Sequence, residues 1–337
     1  MIRKLSCAAL LLVPSLAYGE NPSADLSVQI VPPGIACDIG PNYSGPIPAG
    51  AQAKGFTHCA ANYDFTSTAN FTYNGNTYNY SNLLSWLGLC GGSNPPLWYN
   101  TGYNSSASPC SDFNIVSDGG SNALHMQWTA TDAGNGAAGT LMTSNPGGYP
   151  GQGSEQPFTW PQGHYTEGKF RLSPATLTAL PSDADIFTYF GYTSFSSNNY
   201  MEWDTYDFGT GGCVNWVKPG GGNYFCGNGT PWRTIDPSWS PTVYHTYGEL
   251  AISDGTANMQ KCIYYDGSLH TPCFGPFSIQ SAPVVYAGRD NWYFGLGDLQ
   301  NITHPRTPST TMELWVKQIT FWDCPSWRTQ QCNTTVP

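Results

Sequence analysis

Runs of Ala, Leu, Glu and Lys that would build a helix are nearly absent from this chain, and turn residues cut it into short apolar segments throughout. A chain so punctuated cannot form a helical bundle and is directed to an all-β sandwich or barrel. The segment 165–172 alternates apolar and polar residues, as a half-buried strand does. An aromatic run at 186–192 suits a buried strand. Asp118-Gly119-Gly120 separates strand-like segments 114–117 and 123–129, the signature of a hairpin. Further strands are read at 244–252, 259–265, 292–297 and 312–322.

The N-terminus has a different logic. Arg3 and Lys4 precede an apolar run over 8–16, and small residues follow at 17–19. This reads as a secretory signal peptide over 1–19, because the run is too short to span a bilayer. Residues 20–55, rich in Pro, Gly and Ala without periodicity, read as an irregular leader. Residues 56–337 then form one domain, since no linker divides the strand-rich region.

Eleven cysteines fall to ten when Cys7 leaves with the signal segment. An even number in a secreted chain implies disulfides. Cys213 with Cys226, Cys262 with Cys273, and Cys324 with Cys332 could close short loops, and Cys37, Cys59, Cys90 and Cys110 would supply two more bridges. No Cys-x-x-Cys pair supports a zinc site. Twelve basic residues fall to ten without Arg3 and Lys4, so the net charge of −10 becomes −12. Such a balance excludes nucleic acid as a partner and disfavours polyanionic glycans. No membrane association is expected, and the protein is read as a secreted, extracellular monomer.

The chemistry concentrates in residues 200–208, Tyr-Met-Glu-Trp-Asp-Thr-Tyr-Asp-Phe. Alternation puts Glu202 and Asp204 on one strand face, with Met201 and Trp203 on the other. Neighbouring carboxylates repel and resist burial, so a strand that carries them uses them. Asp207 joins the pair only if one residue bulges out between it and Asp204. Two carboxyl groups flanking a glycosidic bond can hydrolyse it, provided the acid keeps its proton through a raised pKa.

Glu202-Trp203-Asp204-Thr205-Tyr206-Asp207 resembles the bulged Glu-x-Asp-x-x-Glu signature of glycoside hydrolase family 16, which includes laminarinases and agarases. Other segments resemble that family in order. They are Asn114-Ile115-Val116-Ser117-Asp118, Tyr165-Thr166-Glu167-Gly168-Lys169-Phe170-Arg171-Leu172, Tyr244-His245-Thr246-Tyr247-Gly248-Glu249, Tyr264-Tyr265-Asp266-Gly267 and Trp315-Val316-Lys317-Gln318-Ile319. The resemblance implies a concanavalin A-like β-jelly-roll sandwich of two antiparallel sheets. It also implies an endo-acting, retaining hydrolase on a neutral polysaccharide, with a β-1,3- or mixed-linkage β-glucan fitting best. Glu202 would be the nucleophile, Asp204 the assisting carboxylate and Asp207 the acid/base. Asp207 departs from the family's Glu by one methylene, about 1.5 Å of reach. No cofactor is required, and a structural calcium is compatible with this reading.

Sugar faces stack on aromatic rings, and Tyr189, Trp216, Trp232, Trp239 and Trp292 are the candidates for substrate binding. His245 reads as a structural histidine. Two alternatives stand beside the hydrolase. One is a lectin-like binding protein on the same fold. The other is a polysaccharide lyase, which needs a Tyr or His base and a basic group to neutralise a uronate.

Overall fold

The computed structural model describes residues 34–67, 70–73, 76–78, 98–101, 113–129, 136–143, 163–173, 185–186, 190–196, 199–204, 206–207, 215–217, 223–224, 236–240, 242–253, 258–278, 291–298, 311–325 and 332. Residues 34–337 form one compact unit. The signal segment 1–19 lies outside the described residues.

The chain begins with β1 (Cys37–Ile39), α1 (Ala49–Lys54), β2 (His58–Asp64), β3 (Phe71–Tyr73), β4 (Asn76–Tyr78) and β5 (Trp98–Thr101). It continues through β6 (Phe113–Asp118), β7 (Ser121–Thr129), β8 (Gly136–Thr143), β9 (Gly163–Leu172), β10 (Asp185–Ile186) and β11 (Phe190–Ser196). Next come β12 (Asn199–Asp204), β13 (Tyr206–Asp207), β14 (Asn215–Val217) and β15 (Asn223–Tyr224). The last are β16 (His245–Ser253), β17 (Asn258–Tyr265), β18 (Ser268–Ser278), β19 (Asn291–Asp298) and β20 (Thr311–Asp323). The expected all-β, disulfide-stapled jelly-roll sandwich is the fold adopted. Among the described residues the larger sheet runs β1-β2-β20-β9-β16-β17-β18, with β7 on β20 and β6 on β7. The other large sheet runs β15-β14-β12-β11-β19-β8-β5. Pairing is antiparallel, except that β1 lies parallel to β2.

The stretch read as an irregular leader carries β1 and α1 from Gly34 onward. Helix α1 ends at Gly55, whose left-handed backbone (φ 76°) returns its N–H to Ala51 and Gln52 carbonyls. The expected hairpin is present. Gly119 and Gly120 both take positive φ, 60° and 84°, as a tight two-residue turn between β6 and β7 demands. Asp266 and Gly267 repeat this device between β17 and β18.

The larger sheet buries one face and part of the other, and the reason lies in its register. On one face Phe170, Leu172, Val316, Leu314, Leu124 and Met126 are buried. On the outer face, successive cross-strand rows change character. The first row, Cys262–Leu250–Tyr165–Trp322–Cys59, is apolar and buried under Tyr43, Ala51 and Phe56 of the N-terminal segment. The second row is Tyr264–Gly248–Glu167–Thr320–Asn62. The third, Thr246–Lys169–Gln318–Asp64, is polar, with Lys169 exposed. The fourth, Arg171–Trp315–His125–Asn114, stays half-open, with Asn114 exposed. The N-terminal segment thus covers the part of the face that water would otherwise meet as apolar surface.

Bridges Cys37–Cys59, Cys262–Cys273 and Cys324–Cys332 are formed. The other expected cysteine partners lie outside the described residues. No helix among the described residues is long and apolar enough to cross a membrane.

Candidate functional site

Glu202 and Asp204 lie on β12, opposite Val217 and Asn215 of β14. The strand ends at Asp204, and Asp207 belongs to β13, which pairs with β10 and sets Asp207 opposite Asp185. The three carboxylates therefore do not share one strand. Trp203 pairs with Trp216 across the same ladder. Met201 pairs with Thr193 on β11, and Gly191, two residues back on β11, pairs with Trp292 on β19. The ladder thus sets Trp216 in register with Trp203, and Trp292 in register with Gly191. Tyr189 and Trp232 lie outside the described residues. Trp239 is only 3% exposed and donates its indole N–H to Tyr247 Oη at 3.0 Å.

A second group of chemically capable side chains assembles on the outer face of the larger sheet. Phe170 and Leu172 turn inward, so alternation turns Arg171 outward between them. Its guanidinium grips Asp118 in a fork, with Nε 2.9 Å from Oδ2 and Nη2 2.8 Å from Oδ1. The same guanidinium lies 4.1 Å above the Trp315 ring. The His125 ring stacks on Trp315 at 4.7 Å, and its Nε2 lies 3.1 Å from Glu313 Oε1. Tyr244 donates its hydroxyl to Asp118. Lys317 Nζ donates to the Ser121 carbonyl at 3.1 Å and its hydroxyl at 2.7 Å, and stands 5.0 Å from the Tyr244 ring centroid.

The electrostatics follow from these contacts. The Arg171 hydrogen bond, with help from Tyr244, holds the Asp118 carboxyl below its ordinary range against the opposing cost of burial. Burial, then the contact with Asp118, pushes the Tyr244 phenol well above its usual range. Tyr244 therefore stays a proton donor at neutral pH. Burial lowers the pKa of Lys317, while Asp118 partly offsets it.

A third network closes one end of the sheet's inner face. His245 Nδ1 lies 2.8 Å from Asp266 Oδ2 and 2.7 Å from Tyr265 Oη. Tyr265 also donates to Asp236 at 3.0 Å. Asp266 accepts the Thr246 N–H at 2.7 Å, so its carboxylate ties the β17–β18 turn to the start of β16. His245 is 8% exposed and fully engaged, which fits the structural role read for it. Among the described residues no group of three or more His, Cys, Asp or Glu side chains is placed to hold a metal ion.

Sequence reasoning did not single out Arg171, Tyr244, Lys317 or His125. The alternation of 165–172 carried part of the signal, since it set Arg171 opposite to its apolar neighbours. The register that aligns Arg171 with Trp315 and His125 is a long-range property that no local pattern encodes.

No protein-family model matches the sequence. No curated protein matches it either. Solved structures of distant likeness exist. One is the endo-β-1,4-glucuronan lyase from the fungus Trichoderma reesei, at 12% identity and TM-score 0.43, covering 63% of this chain and 86% of that one. Another is alginate lyase Aly36B, at 12% identity and TM-score 0.44, covering 77% and 95%. A third is a putative β-glucanase from Mycobacterium abscessus, at 15% identity and TM-score 0.34, covering 62% and 78%.

These findings correct the expectation of a retaining glycoside hydrolase working by double displacement. Several of the solved structures of similar fold are alginate or glucuronan lyases rather than family 16 hydrolases. Membership of family 16 is likewise unsupported.

Proposed function

We propose that this protein degrades a polysaccharide and cuts it by β-elimination at a uronate. Elimination needs a cation to neutralise the sugar carboxylate, a base for the proton α to it, and an acid for the departing oxygen. The assembly of Arg171, Tyr244 and His125 in and beside one half-open cross-strand row, with Lys317 next to it, carries this reading. The cations lower the cost of the enolate-like charge. His125 takes the α proton, and the electron pair forms the carbon–carbon double bond. The glycosidic carbon–oxygen bond breaks, and the departing oxygen takes its proton from Tyr244. Asp118 holds Arg171 and Tyr244 in place between turnovers. Glu202 and Asp204 lie in the other sheet and take no part in this step.

The test incubates the protein with glucuronan, alginate and a neutral β-glucan, following ultraviolet absorbance of unsaturated ends alongside new reducing ends. Unsaturated ends from an acidic glycan are expected. Tyr244→Phe and His125→Ala should each slow their appearance about 10²-fold or more while circular dichroism stays unchanged. Glu202→Gln should leave the rate within a few-fold. Reducing ends without unsaturation would overturn elimination. Loss in Glu202→Gln with full activity in Tyr244→Phe would move the site to the other sheet.

A further inference from the structure

His125 is held from two directions. Trp315 lies opposite it on β20, and the two rings stack at 4.7 Å with 19° between their planes. Glu313 stands two residues before Trp315 on β20, so alternation sets it on the same face, diagonal to His125. Its Oε1 lies 3.1 Å from His125 Nε2. The stack fixes the plane of the imidazole, and the carboxylate fixes its rotation within that plane. No other hydrogen bond engages the ring among the described residues.

Glu313 is itself pinned. It pairs with Gln127 of β7, and its carbonyl accepts the Ser173 N–H at 3.1 Å where β9 ends. The side chains of His125 and Glu313 are 13% and 27% exposed. Water reaches the pair only in part, so their attraction is screened less than on an open surface.

An ionised carboxylate can only accept, so the nitrogen that faces it is the one carrying the proton. A neutral His125 is therefore the Nε2–H tautomer, with its lone pair on Nδ1. The hydrogen bond made by one ring nitrogen thus decides which nitrogen can act as a base. Charge matters too. The Arg171 guanidinium already lies 4.1 Å above the Trp315 ring, and its partner Asp118 is on the far side of the stack from His125. A proton taken by His125 adds a second positive charge to that stack, and Glu313 supplies the counter-charge on the imidazole's own side.

We propose, building on the elimination reading above, that Glu313 is the positioning residue for the base His125. It leaves Nδ1 as the nitrogen that takes the α proton, and it offsets the charge the ring then gains. The electron pair of the broken carbon–hydrogen bond becomes the double bond. The glycosidic carbon–oxygen bond breaks, and its oxygen leaves with the proton of Tyr244. The cycle closes when the proton on Nδ1 returns through solvent to the Tyr244 oxygen, and Glu313 stays ionised throughout.

The test follows unsaturated-end formation in Glu313→Gln, His125→Ala and the double variant, with circular dichroism to confirm folding. Gln keeps the shape of Glu without its charge, and its amide N–H can face Nε2 and drive the proton onto Nδ1. Glu313→Gln should lower kcat about 10²-fold or more, with KM within a few-fold. The double variant should be no slower than His125→Ala, because Glu313 acts through the ring. A second arm needs no substrate: ¹⁵N NMR of the histidine rings in the full chain, with His125 assigned by its loss in His125→Ala. The neutral wild-type ring should carry its proton on Nε2. Losses that add in the double variant, an effect on KM alone, or a wild-type ring protonated on Nδ1 would overturn the proposal. Should Glu313→Gln fail to fold, the wild-type NMR still decides. Absence of unsaturated ends from every glycan, or full activity in His125→Ala, would instead sink the elimination reading itself, and the role of Glu313 with it.

Discussion

The ring of Tyr165 fills the space that a side chain at Gly50 would need: a Cβ there would lie 2.1 Å from Tyr165 Cε2. The Tyr165 hydroxyl likewise fills the space at Gly248, where a Cβ would lie 2.1 Å away. One fully buried tyrosine thus locks helix α1 onto β9 and β16. Gly50→Ala forces the ring to move inside a packed cluster. It should cost about 1–3 kcal/mol, the range for overpacking. Urea denaturation measures it, and an unchanged midpoint would show that α1 can back away from the sheet.

The Asp118 carboxylate anchors the β6–β7 hairpin to β9 through Arg171 and to the start of β16 through Tyr244. Because its pKa is lowered in the fold, chiefly by Arg171, it stabilises above its unfolded pKa near 3.8 and the benefit drains away as pH falls through the folded value. Asp118→Asn should therefore cost about 1–3 kcal/mol at neutral pH. It should also flatten the acid limb of the stability curve. Thermal melts of both proteins across the acid range decide this, and curves of equal slope would contradict it.

How much of this was legible in the chain varies by element. The β6–β7 hairpin could be read because Asp118-Gly119-Gly120 encodes its turn locally. The strand at β9 could be read because Tyr165 to Leu172 alternate. Helix α1 was missed: six residues, no side-chain cap at Pro48 and no acidic residue in its first turn leave almost no local signal. Its stability comes from packing against Tyr165. The strand that carries Glu202 and Asp204 could be read from its aromatic and long apolar residues. The register that aligns Arg171, Trp315 and His125 was not, since it depends on distant partners.

The Cys262–Cys273 bridge joins adjacent strands at the end of the apolar row, where both sulfurs lie in the cluster under the N-terminal segment. Replacing both cysteines with alanine frees the turn between them in the unfolded chain. A loss of about 2–4 kcal/mol is expected. Differential scanning calorimetry of the double variant checks it. A melting temperature equal to the wild type's would mean that the β17–β18 pairing and its Asp266-Gly267 turn suffice.

Trp239 was expected to offer its ring to a sugar, and the structure gives it a different task. The indole is buried and bonded to Tyr247 Oη, while Tyr247 stacks on Phe170 at 4.5 Å. A sugar-stacking platform must expose a face, and this ring is sealed. Tyr247→Phe removes the acceptor while keeping the stack, and should cost about 1–3 kcal/mol because a buried indole N–H loses that acceptor. Glycan affinity in the folded variant should stay unchanged. Isothermal titration paired with denaturant unfolding separates the two effects. A large drop in affinity without a drop in stability would return Trp239 to the binding site.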